Sequence, residues 1–218
     1  MNEPAARLLS GGPLHSPLDL LLMFSLLALL PLLAVATTSF TRIIVVLSLL
    51  RTSLGSPALP PNSVLIALAL LLSATIMAPT WRQIDREAVI PLGQHRLAPS
   101  VAVDRAASEL TGFMLRQTRP SDIAIFARAD GVPFASAHRR FAVVAPAFLV
   151  GELRTAFAMG FALALPFVVI DIVVAATLMS LGMFMVPPAT VALPLKLLLF
   201  VIADGWALVV GALIGSFH

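Results

Sequence analysis

Cysteine and tyrosine are both absent from this 218-residue chain, lysine occurs once, at Lys196, and only 11% of the residues are charged. Without cysteine there can be no disulfide, thiolate nucleophile, iron–sulfur cluster or Cys-ligated zinc. Soluble domains carry about 25% charged residues. Here 59% of the chain is hydrophobic and the mean hydropathy is +1.00, more apolar surface than one domain of this length can bury in its own core. An ordinary cytosolic enzyme is excluded on composition, and a membrane-class chain takes its place. Motifs for catalysis are missing too: there is no P-loop, no Gly-x-Ser-x-Gly and no His-x-x-x-His. Two acids in apolar runs, Asp171 and Asp204, raise an aspartyl-protease reading, but neither has the sequence context of one. No catalytic residue, metal ligand or cofactor is assigned.

What charge there is lies mostly in one block. Of 25 charged residues, 17 fall between Pro79 and Arg154. Leu20 to Thr41, Thr52 to Trp81 and Ile172 to Leu195 carry none. A bilayer core of about 30 Å takes roughly 20 apolar helical residues, so each run spans or nearly spans it. None alternates with period two, which excludes a transmembrane β-barrel. The pattern predicts an all-α, membrane-associated fold with apolar helices over 18–50, 63–81, 155–184 and 189–215, the first open to a break at Pro31. Four segments follow: an N-terminal tail 1–17, a first helical hairpin 18–81, a polar helical insert 82–154 and a second hairpin 155–218. The apolar run after the tail is longer than a signal-peptide core. It reads as a retained first helix, despite the small-x-small form of Ala34-Val35-Ala36.

Sliding the chain by 127 positions reveals an echo. Ser53-Leu54-Gly55, then Pro60-Pro61, aligns with Ser180-Leu181-Gly182, then Pro187-Pro188. Both copies read as helix, glycine cap, short turn and a new helix opened by proline. Two hairpins in parallel orientation follow, both tips on one side and the insert and termini on the other. The insert itself is amphipathic. Glu109, Leu110, Phe113, Met114, Arg116 and Gln117 form a helix ending before Pro120, and Ile123, Ile125 and Phe126 give a second apolar face. Its ten arginines are interleaved with seven acids, which describes a solvated, salt-bridged surface and no nucleic-acid site.

A family resemblance rests on ordered motifs. Thr38-Ser39-Phe40-Thr41-Arg42-Ile43, Leu49-Leu50-Arg51-Thr52-Ser53-Leu54-Gly55 and Pro60-Pro61-Asn62 carry its first part. Phe113 to Arg119 matches in the insert. Glu152-Leu153-Arg154-Thr155-Ala156-Phe157, Leu165 to Asp171, Met183 to Thr190, Leu193 to Leu197 and Asp204-Gly205-Trp206 complete it. Together these resemble the FliP/SctR family, and its flagellar branch more than its injectisome branch. The resemblance implies a structural pore subunit of the type III export gate in the bacterial inner membrane, at the flagellar basal body. It implies a pentamer-like homo-oligomeric ring that joins FliQ-like and FliR-like subunits, works with FlhB-like and FlhA-like components, and passes unfolded export substrates. Two departures stand out: the N-terminus lacks the evident cleaved signal of many members, and the family's three methionines before the prolines are here Met183-Phe184-Met185. Arginine counting in short loops puts the insert in the cytoplasm; the resemblance puts insert and termini in the periplasm and the tips, with Arg42 and Arg51, toward the cytoplasm. From physics alone, the hairpin repeat with broken helices also fits a small secondary transporter.

Site expectations follow from charge and shape. A lone charge in an apolar helix costs about 2.5–3.5 kcal/mol on insertion scales, so Glu152 and Lys196 each call for a partner. In a straight hairpin they lie roughly 39 Å apart along the axis. An intrachain pair would need a sharp bend near Pro166, so an intersubunit Glu152–Lys196 ion pair is expected. Asp171 and Asp204 are expected to be buried against other subunits or polar backbone, while Gly182, Pro187 and Pro188 are structural, the glycine freeing the backbone for a loop and the prolines keeping that loop short. Met183, Phe184 and Met185, repeated around a ring, would stack into an apolar gasket that excludes water and ions.

Overall fold

The computed structural model describes residues 17–56, 60–138 and 140–217. The tail before Pro17, His15 within it, and His218 lie outside the described residues. Every described regular element is helical: α1 Pro17–Thr37, α2 Phe40–Ser53, α3 Asn62–Ile84, α4 Ile90–Gly93, α5 Pro99–Gln117, α6 Pro120–Ala129, α7 Phe134–Ala137, α8 Phe141–Ser180, α9 Pro188–Ile202 and α10 Gly205–Gly215. A single π turn, Asp85–Val89, joins α3 to α4. The fold class is all-α, as the hydropathy pattern predicts.

Helix ends depart from the hydropathy pattern in three places. The first apolar run breaks at Thr38–Ser39, while Pro31 stays inside α1. The Thr37 and Thr38 hydroxyls donate to the Leu33 and Ala34 carbonyls, at 2.7 and 2.6 Å. The third helix begins at Phe141, fourteen residues before the expected start, and runs unbroken through Pro146 and Pro166. At 40 residues it is about 60 Å long, twice the hydrocarbon thickness. The fourth breaks at Asp204, whose φ of +49° is left-handed. Asn62–Gly93 and α8 are each long and apolar enough to cross a membrane, with up to four spans if each bent pair counts as one.

By contact the chain forms two compact units, one holding residues up to Ser39 with Met77–Glu152, the other Phe40–Ile76 with Leu153–His218. The boundaries fall inside α3 and α8. In the insert-bearing unit, α5 opens on Pro99 and ends before Pro120, as the amphipathic pattern requires. Ile123, Ala127, Ala137, Val143 and Ala147 make its small core, and Phe113 meets Phe148 edge-on at 5.9 Å. Ile125, expected on the apolar face, is exposed; Ile123 and Phe126 turn inward. Charges bridge the surface: Arg105 donates to the Glu87 carbonyl at the π turn (3.2 Å) and Arg140 pairs with Asp130 (3.2 Å).

The second unit is built on α2. Ile43, Val46, Leu47 and Leu50 are at most 2% exposed and pack with Leu65, Ala69, Ala156, Phe167, Phe200 and Leu213. Gly160 lets α8 approach α2 closely, since a Cβ there would lie 2.3 Å from Leu49 Cδ1. Small residues at such crossings replace the hydrophobic driving force that lipid-embedded helices lack.

Candidate functional site

The two tips predicted from the echo have one backbone design. In the first, Leu54 N–H donates to the Leu50 carbonyl (3.0 Å) and Gly55 N–H to that of Thr52 (3.1 Å). In the second, Leu181 N–H donates to Thr177 (3.1 Å) and Gly182 N–H to Met179 (3.1 Å). The Ser53 and Ser180 hydroxyls reach back three residues, at 2.7 and 2.8 Å. Gly55 and Gly182 both take a positive φ, +81° and +75°, which any residue with a Cβ resists. At the second tip Met183 N–H also reaches the Leu178 carbonyl (3.0 Å), completing a Schellman end. Pro187 then caps α9 and Pro188 opens it.

That loop presents its apolar side chains outward. Met183 is 45% exposed, Phe184 78% and Met185 95%. Val186 alone turns in, packing with Ile170, Val174, Leu178 and Ala192. Gly182, Pro187 and Pro188 are themselves exposed.

Lys196 is the polar centre of this unit. Its ammonium lies 2.7 Å from Asp171 Oδ2 and donates to the Ser53 carbonyl at 3.0 Å, closing the carboxyl end of α2 where the helix dipole favours a cation. The Lys196 side chain is 7% exposed and that of Asp171 45%. A cleft of about 390 Å³ opens beside them, lined also by Thr52, Gly55, Pro188 and Ala189. Glu152 is fully buried in α8. Its expected pairing with Lys196 is a relation between chains, and within the chain the lysine already has a carboxylate in Asp171. Asp204 is exposed and makes no capping bond with its side chain; its role here is to turn the chain 65° between α9 and α10.

The two tip arginines are parted. Arg51 remains at the first tip, where its guanidinium donates to Asn62 Oδ1 across the turn. Arg42 is corrected: it sits at the other end of α2, 3% exposed. Its Nη1 donates to the Ser216 carbonyl and hydroxyl, at 2.7 and 2.9 Å, and its guanidinium stacks 3.7 Å above the Phe217 ring. A residue held by the end of α10 cannot also mark the tip. Sequence reasoning missed that contact, and it missed the Phe167, Phe200 and Trp206 group that fills the α9–α10 bend, with Phe200 and Trp206 rings 5.4 Å apart. The signal available was Asp204-Gly205, a dipeptide that favours a left-handed residue. Among the described residues no cluster of His, Cys, Asp or Glu could hold a metal ion.

Comparison with known proteins gives this arrangement relatives. The FliP family model matches residues 23–213. The flagellar biosynthetic protein FliP of Pectobacterium carotovorum is 47% identical over 91% of this chain and 78% of its own length. That of Caulobacter vibrioides is 46% identical over 90% and 74%, and that of Bacillus subtilis is 42% identical across the full length of both chains.

Proposed function

The chain belongs to the FliP family, and from that premise we propose that it is a structural subunit of the pore at the centre of the flagellar type III export gate. At family level it is a flagellar biosynthetic protein, a membrane component of the export apparatus. The finer reading is a ring of copies, pentamer-like, joined by FliQ-like and FliR-like subunits and served by FlhB-like and FlhA-like components. Unfolded substrates pass through it. Its contribution is shape and sealing, with no bond made or broken.

The observation that carries this reading is the second tip. Three consecutive large apolar side chains stand exposed on a loop whose backbone is fixed by a left-handed glycine, a Schellman end and two prolines. Exposed apolar groups so placed mark a contact surface. Rotation about a ring axis would bring the copies of Met183, Phe184 and Met185 together. Methionine is unbranched and polarizable, so such a collar closes when empty and re-packs around varied chains. In this reading the tips and Arg51 face the cytoplasm, and the insert, Arg42 and the carboxyl terminus face the periplasm. Expressed with FliQ-like and FliR-like partners, the chain should purify as a ring-shaped particle holding several copies. Its recovery only as a monomer that moves a small solute across reconstituted vesicles would establish a transporter instead.

A further inference from the structure

Lys196, Asp171 and the Ser53 carbonyl stand at one level of the second unit, because a single ammonium touches both oxygens. Arg51 precedes Ser53 by two residues, about 3 Å along the helix, and therefore stands at nearly that level too. Its partner is a neutral amide, Asn62. Asp171 is held through Oδ2 alone, while its side chain is 45% exposed beside Val168, Val169, Ile172 and Val173, all exposed and apolar. A carboxylate that opens onto an apolar face is poorly solvated once that face is covered, and a second charged donor then stabilises it.

The charges of this unit leave few candidates for that donor. Its acids are Asp171 and Asp204, its bases Arg42, Arg51, Arg154 and Lys196. Arg42 is buried against Ser216, and Lys196 is already engaged. Arg154 lies 17 residues before Asp171 on α8, about 25 Å along the axis. A head-to-tail ring joins two different patches of the same chain, and rotation about its axis preserves height. An acid and a base at one level on one chain are thus brought to the same level on adjacent copies.

We propose that the cleft at Asp171 receives Arg51 of the adjacent copy of this chain, so that the carboxylate bridges its own Lys196 and its neighbour's arginine. This rests on the ring reading above. It makes each subunit's first tip the key for the next subunit's second hairpin, and it gives the closed ring a register.

The chain's lack of cysteine makes the test direct. Two differently tagged forms, Arg51→Cys and Ala175→Cys, are expressed together with the partner subunits and oxidised in the intact particle. Ala175 lines the same cleft, and its replacement leaves the Asp171–Lys196 pair in place. A disulfide joining the two tags is expected, absent when either form is alone. Arg51→Glu should reduce particle yield several-fold, and Arg51→Glu with Asp171→Arg should restore part of it. Particles of normal size with no mixed disulfide, and no rescue by the swap, overturn the pairing while leaving the ring. An unsubstituted chain that stays monomeric with its partners present overturns the ring, and the pairing with it.

Discussion

Lys196 and Asp171, 25 residues apart, are joined at 2.7 Å, and the same ammonium closes the carboxyl end of α2 through the Ser53 carbonyl. One cation therefore ties three helices. Removing it leaves a carboxylate and a helix end to find other donors. Lys196→Met should lower unfolding stability in detergent by about 1–3 kcal/mol, toward the low end because Asp171 keeps access to solvent. Lys196→Met combined with Asp171→Leu should cost less than the two single changes summed. Thermal unfolding of the three variants checks this, and additive costs would show that the two residues do not act as a pair.

Close helix approach gives a second expectation. A Cβ on Gly160 would lie 2.3 Å from Leu49 Cδ1 and 2.9 Å from its Cβ, whereas one on Gly211 meets nothing within 4 Å. Gly160→Ala should destabilise by roughly 1–3 kcal/mol through overpacking. Gly211→Ala should be neutral or slightly stabilising. The same unfolding measurement separates them, and equal tolerance would contradict the packing described between α2 and α8.

Asp204 tests whether an acid in an apolar run serves conformation or proton transfer. Its φ of +49° and absent side-chain cap assign it the former role. Asp204→Asn and Asp204→Gly should keep both assembly and export, because either residue accepts a left-handed backbone. Asp204→Val should lose about 1–2 kcal/mol of stability. Normal assembly with abolished export in Asp204→Asn would assign the carboxylate a proton.

Much of the fold was legible because few devices specify it. Apolar runs without charge fixed the class. The Ser-Leu-Gly echo marked two tips that share backbone hydrogen bonds, those of Leu54 matching those of Leu181 and those of Gly55 matching those of Gly182. Breaks were harder. Pro31 and Pro194 stay inside helices, although proline is the usual breaker, while the breaks fall at Thr38–Ser39 and at the left-handed Asp204. Hydropathy sees none of this, since Ala203, Gly205 and Trp206 continue the apolar run. Ion partners were harder still. Lys196 and Asp171 could be placed roughly level by counting from the turn, but Arg42 and Ser216 are 174 residues apart and meet only through packing.

The gate is tested most directly by ion conductance across the membrane holding the assembled particle, with secretion followed in parallel. Replacing Met183, Phe184 and Met185 with glycine removes the exposed apolar side chains but keeps Gly182, Pro187 and Pro188, which shape the loop. Particles of normal size and composition should then leak small ions at rest, where particles with the native tip do not. Intact particles with the glycine loop and no added leak would contradict the assignment of this tip as the seal.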